Sequence, residues 1–376
     1  MNKIIYVNQK QLSDSRLSNL LLDYPQHNWD NFSKMRVELY KGHDAAYNRA
    51  GVDLLPLINI PIDSLNLTMP DYDPLFNLTF DEITDLRLTQ LIRQRNDKRW
   101  LLLWSGGIDS MVIIASILKN LSKDALSNID IACNRISIYE HPKFFYKYIE
   151  PNFTLLDSSN LKLTDRLLQK YYIIDGEPAD QLFGGIASRK FTETSVLKNW
   201  RTDPDEMLDF MAKKVDRPFA EWFYQTTSEN IVSTDVPVET YYDFFWWTFF
   251  NYSWASIKLR PLQFQTSMSI TSAQLYFDNF IHWFDTVEYQ KWSLVNRVGV
   301  KYGANIGERK LAAKKYIYDF DHNEYYFKFK VKMESLSREV PGQKSKYFCM
   351  LDDYTRLTLD KDLDQILELF PAHINT

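Results

Sequence analysis

Residues 101–113 read LLLWSGGIDSMVI: an apolar run, a Ser-Gly-Gly turn, one acid and one hydroxyl, then apolar residues again. The spacing puts the turn where a strand gives way to a helix, a junction suited to phosphate. The first N–H groups of a helix lack intrahelical acceptors, and the helix dipole is positive there. Gly106 and Gly107 carry no β-carbons to hold phosphate oxygens off the backbone, while Ser105 and Ser110 add hydroxyl donors. Asp109 would repel phosphate unless a divalent cation bridges the two, and Mg2+ on one or two carboxylates is the usual bridge. The plain structural alternative is a capping turn with an acid in the first helical turn. The stretch is not a Walker A loop, because GxxxxGK[ST] is absent, nor is it GxGxxG.

Such a turn works only on a scaffold that fixes it, and the flanking sequence has the period of one. TFDEITDLRLTQLIRQRN, from Thr79, spaces Ile83, Leu86, Leu88, Leu91 and Ile92 as a helix, with Thr79 or Asp81 as its N-cap. RWLLLW, IDIAC (129–133), FTLLD (153–157) and YYIID (171–175) are short apolar runs of the kind buried in parallel sheets. Helix-compatible IDSMVIIASILKNL, PKFFYKYI and LTDRLLQKY lie between them. Alternation of this sort predicts an α/β fold, a parallel twisted sheet with flanking helices joined by right-handed crossovers. Residues 1–78 read as a small irregular α+β segment, 79–190 as the α/β domain, and 191–376 as a mainly helical part. In that last part the aromatic run YYDFFWWTFFNYSW, from Tyr241, reads as a core helix, with an acceptor pocket or a dimer interface as its other roles.

Composition narrows the function classes. The chain has 376 residues and a net charge of −5, which lends no support to general nucleic-acid binding. Two cysteines, Cys133 and Cys349, lie far apart without CxxC spacing, so neither a disulfide framework nor a zinc site is expected. The six histidines show no metal-ligand spacing. No secretory signal stands at the start and no apolar run reaches the length of a membrane span, so the expected setting is cytoplasmic.

The hexapeptide SGGIDS resembles the SGGxDS pyrophosphate loop of the ATP pyrophosphatase (PP-loop) superfamily. IIDGEPADQLFGG (173–185) is similar to the SGEGADELFGGY segment of asparagine synthetase and β-lactam synthetase, matching at Gly176, Glu177, Ala179, Asp180, Leu182, Phe183, Gly184 and Gly185. Pro178 and Gln181 depart from that pattern, standing at a usual glycine and a usual glutamate. Fainter similarity continues in HWFDTVEYQKWSL (282–294), with Asp285 at the family's aspartate, and in residues 310–335. The resemblance covers about residues 79–335, with strong motifs only in 101–118 and 173–185.

It implies an adenine nucleotide α-hydrolase-like fold and an AMP-forming ligase that adenylates a carboxylate and passes it to ammonia or an amine. ATP would contact Leu103, Ser105, Gly106, Gly107, Ile108, Asp109, Ser110, Gly176 and Glu177. Asp109 and Asp180 would share Mg2+ from two strand ends, and Lys332, then Lys330, would be the catalytic lysine. Against the lysine assignment, KFKVK alternates like an amphipathic strand with a solvated lysine face. The family's acceptor-activating carboxylate has no aligned counterpart, although Glu140 is available. About 80 residues precede the synthetase-like region, too few for the family's glutaminase domain, so no glutamine hydrolysis is expected; an amide-donor subunit or an oligomer remains compatible. Two other readings are a tRNA- or nucleobase-modifying member of the superfamily and a non-catalytic nucleotide-binding relative.

Overall fold

The computed structural model describes residues 5–6, 45–46, 49, 67–158, 161, 163–184, 197–213, 216–254, 257–258, 261, 273–297, 299–301, 309–330, 347–350 and 356–359. The chain divides into two compact units. One, the sheet unit, comprises Thr79–Gly176, Ser267–Trp283 and Lys310–Thr376; the other, the helical unit, comprises Met1–Leu78, Glu177–Thr266 and Phe284–Arg309.

The sheet unit is built on five parallel strands: β1 (Arg99–Leu103), β2 (Ile129–Cys133), β3 (Thr154–Asp157), β4 (Tyr171–Asp175) and β5 (Phe280–His282). Their order is β3-β2-β1-β4-β5. Central β1 is paired on both sides, with Leu102 opposite Ile131 of β2 and Ile174 of β4. Every residue of β2 and β4 is buried, as strands covered on both faces must be, and this is why they read as unbroken apolar runs.

Strand order fixes where the helices lie. The chain steps from β1 to β2 to β3 in one direction and from β4 to β5 in the other, so right-handed crossovers put the connecting helices on opposite faces. Helices Phe80–Gln94, Ile108–Asn120 and Leu311–Asp321 pack together, and Asp85 ties them by accepting from Lys119 and Tyr316. Helices Asp165–Lys170 and Ala273–Asn279 pack together against β4. Of the two N-caps the sequence allows, Thr79 and Asp81, Thr79 is the one, with a full capping box to Glu82.

Strand β5 adds to the sequence reading, which takes residues 191–376 as mainly helical and marks no strand at this place. Three residues, Phe-Ile-His, are too few for any alternation to register, and they follow directly on a helix ending at Asn279.

In the helical unit, all of helix Tyr241–Tyr252 is buried, including Asp243. Asp243 Oδ2 accepts from the backbone N–H groups of Glu239 and Thr240 and from the Thr240 hydroxyl, completing a capping box. The aromatic run is therefore a core helix. No helix among the described residues is long and apolar enough to cross a membrane.

Candidate functional site

In open parallel sheets ligands gather beyond the carboxyl ends of strands, at the point where strand order reverses. Here that point lies between β1 and β4, and both motif segments of the sheet unit end there. The chain leaves β1 through buried Trp104 and turns at Gly106, whose φ is +73°. It then enters helix Ile108–Asn120 with Gly107 as an N-cap that has no side-chain cap.

A β-carbon on Gly106 would stand 2.4 Å from the Ser137 carbonyl oxygen, so left-handed backbone and close packing both demand glycine. Gly176, just past β4, shows the same closeness from the other side: a β-carbon there would lie 2.9 Å from Asp109 Cβ and 3.3 Å from Ser110 N. The end of β4 thus abuts the first turn of the helix that begins the loop.

Ser110 braces the turn from within. Its hydroxyl donates to the Gly107 carbonyl at 3.0 Å and accepts from Ser105 N at 3.2 Å, so it staples the turn shut. Ser105 Oγ lies 3.2 Å from Ser110 Oγ and accepts from Gly107 N at 3.3 Å. The loop arrives prebuilt.

Two lysine–carboxylate pairs flank it. The Lys310 ammonium donates to Asp109 Oδ1; the lysine side chain is buried and the aspartate partly exposed. Lys310 has left-handed backbone (φ 56°, ψ 42°) at the N-cap of helix Leu311–Asp321, a position that costs a non-glycine residue about 1–2 kcal/mol. Lys330 Nζ donates to Glu140 Oε1 at 2.9 Å and to the Glu140 carbonyl at 3.4 Å, and both side chains are buried. Glu140 also borders the loop, since its Oε1 is 3.5 Å from where a Gly107 β-carbon would stand.

Two uncharged rings sit beside this second pair. His141 stacks on Tyr326 with ring centroids 4.7 Å apart. Burial, reinforced by Lys330 and Lys143, pushes the His141 imidazole down to about 3, so it is neutral. Its Nδ1 accepts from Phe144 N, which leaves the proton on a buried Nε2. Burial, then Glu140, Asp321 and Asp109, holds the Tyr326 hydroxyl well above its usual value, so it too is uncharged. His141 Nε2, Tyr326 Oη and Trp104 Nε1 are buried and have no partner among the described residues.

Of the residues expected from sequence, the sheet unit brings together Leu103, Ser105, Gly106, Gly107, Ile108, Asp109, Ser110, Gly176 and Lys330. Lys330 is 4% exposed and follows helix Glu324–Phe329, so the solvated-strand reading of its surroundings does not hold for it. Lys332 and Gly185 lie outside the described residues. Lys310 was missed and Glu140 was only available, because their partners are 201 and 190 residues away in sequence.

Glu177 and Asp180 belong to the helical unit. Asp180 stands in the first turn of helix Ala179–Phe183, with Pro178 at the N-cap. Trp246 Nε1 and Ser293 Oγ donate to the Leu182 carbonyl, and the Tyr242 hydroxyl donates to that of Phe183, so the aromatic helix carries this short one. Gln181 is buried and its Oε1 has no partner among the described residues; an ionised glutamate there would need a counter-charge.

Among the described residues no three His, Cys, Asp or Glu side chains gather as metal ligands. The donors at Asp109 are hard oxygens, and Mg2+ there would share or displace the Lys310 ammonium that Oδ1 now accepts from. A lone carboxylate oxygen set fits Mg2+, which takes few protein ligands and completes its shell with phosphate and water, better than it fits zinc, which favours three or four nitrogen and sulfur ligands. The Cys133 thiol is buried and pushed up to about 12 by desolvation and by Asp157, which makes it an unreactive core residue. Comparison with protein-family models, with curated proteins and with solved structures gives no match.

Proposed function

We propose that this chain is an ATP-dependent, AMP-forming carbon–nitrogen ligase of the asparagine synthetase type. The observation that carries the reading is the prebuilt Ser105–Ser110 loop at the sheet's switch point, flanked by the Lys310–Asp109 and Lys330–Glu140 pairs. A generic capping turn has no need of two buried lysines beside it.

In this reading the loop N–H groups and Lys330 hold the β- and γ-phosphates of ATP, and Gly176 leaves room beside Asp109. A substrate carboxylate oxygen attacks the α-phosphorus. The bond from that phosphorus to the bridging oxygen breaks, and pyrophosphate leaves with the electron pair. Lys330 and the loop amides stabilise the charge that grows on it. Asp109 would hold Mg2+, which when bound neutralises phosphate charge. Ammonia or an amine then attacks the acyl carbon, AMP departs, and the nitrogen gives up its proton to solvent. Cys133, buried and protonated, is no candidate for a covalent acyl carrier.

The test is exchange of labelled pyrophosphate into ATP across a panel of carboxylic acids. Exchange that depends on one acid, and is lost in Lys330→Met, is the expected result. Release of ADP and phosphate would overturn the ligase assignment, and RNA co-purifying with active protein would favour the tRNA-modifying reading.

A further inference from the structure

The Lys330 ammonium has three N–H donors. Two are turned back onto Glu140, onto its carboxylate at 2.9 Å and its carbonyl at 3.4 Å. The third has no acceptor among the described residues. The charges that bear on this corner are those of Glu140, Asp109, Asp321 and Lys143, while neighbouring His141 and Tyr326 are both neutral. Glu140 is the carboxylate within bonding distance of Lys330. It also touches the glycine turn: its Cβ lies 2.9 Å from where a Gly106 β-carbon would stand, and its Oε1 3.5 Å from that of Gly107. One side chain therefore spans the distance between the loop and the lysine.

We propose that Glu140 is the positioning residue of the site, fixing the Lys330 ammonium against the Ser105–Ser110 loop so that its remaining N–H meets phosphate bound there. The inference rests on the nucleotide-binding reading above but makes a separate claim: Lys330 serves only through Glu140. A buried lysine without its anchor has several rotamers and no reason to choose the productive one. Helix Arg135–Glu140 supports this, since its N-cap Asn134 forms a capping box with Ser137 while the Ser137 carbonyl closes on Gly106. The same short helix thus sets the loop and the carboxylate together.

The experiment is calorimetric titration of the full chain with MgATP, which needs no knowledge of the acceptor and separates stoichiometry from affinity. Glu140→Gln and Lys330→Met should each weaken MgATP roughly 10- to 100-fold, and the double variant should be no weaker than the worse single within about 3-fold. Glu140→Asp, which keeps the charge on a shorter arm, should restore part of the affinity. A purely structural glutamate would lower the binding-competent fraction and leave the affinity of that fraction unchanged. Unchanged affinity in Glu140→Gln, or losses that add in the double variant, would overturn the proposal while wild-type binding leaves the nucleotide reading standing. Failure of the wild type to bind MgATP would sink both.

Discussion

His141 is the residue whose titration has the plainest consequence. Folded, its imidazole stays neutral down to about 3, because burial and the neighbouring ammonium groups oppose a second charge. In the unfolded chain it takes up a proton near 6.5. Between those values the unfolded state binds more protons, so each step to lower pH favours unfolding, by up to about 1.4 kcal/mol per pH unit. Above 6.5 both states are neutral and the contribution vanishes. Urea midpoints taken at pH 7.5, 6 and 5 should therefore fall more steeply in the wild type than in His141→Asn. Asparagine keeps a capping acceptor for Phe144 N without the titrating ring. Parallel slopes in the two proteins would mean that the imidazole is protonated in the folded state. The same neutrality matters to the site, since a charged His141 would compete with Lys330 for Glu140.

Among the elements, helix Ala179–Phe183 bears Asp180 yet is too short to stand alone. Its carbonyls at Leu182 and Phe183 are taken by Trp246, Ser293 and Tyr242, so its place is set by the buried aromatic helix. Tyr242 also closes on Gly184, where φ is +82° and a β-carbon would meet the Tyr242 hydroxyl oxygen at 3.1 Å. Tyr242→Phe keeps the ring and removes the donor to the Phe183 carbonyl. The expected cost is about 1–2 kcal/mol, measured by chemical unfolding, with greater amide exchange confined to the segment around 182–184. No change at either readout would dissociate the aromatic helix from the motif it carries. At this scale the sequence was most readable: β1 to β4 and the helices at Phe80, Ile108 and Tyr241 follow from apolar period and capping residues. Strand β5 did not, because hydrogen bonds to β4 make it a strand and its three residues carry no period. Lys310 escaped, and Glu140 stood available without support, for a related reason: each gains its meaning from a partner about 200 residues away, and nothing local marks it.

For the molecule as a whole, charge sets how nucleotide would bind on the ligase reading proposed above. With a net charge of −5 the chain offers ATP no general attraction, so on that reading the pull would come from the loop N–H groups, Lys310 and Lys330 against the opposition of Asp109. A divalent cation on Asp109 would reverse that opposition. MgATP should therefore raise the unfolding temperature by a few degrees, because ligand at 100 times its Kd adds about 2.7 kcal/mol to the folded state. ATP with EDTA should raise it less. In Asp109→Asn the repulsion and the metal ligand disappear together, so the stabilisation by ATP should become nearly independent of Mg2+. A variant that still needs Mg2+ to the wild-type extent would remove Asp109 from the metal assignment. Asp180→Asn, in the helical unit, puts the same question to the second carboxylate. An unaltered Mg2+ requirement there would leave Asp109 to hold the cation with phosphate and water, which one carboxylate can do.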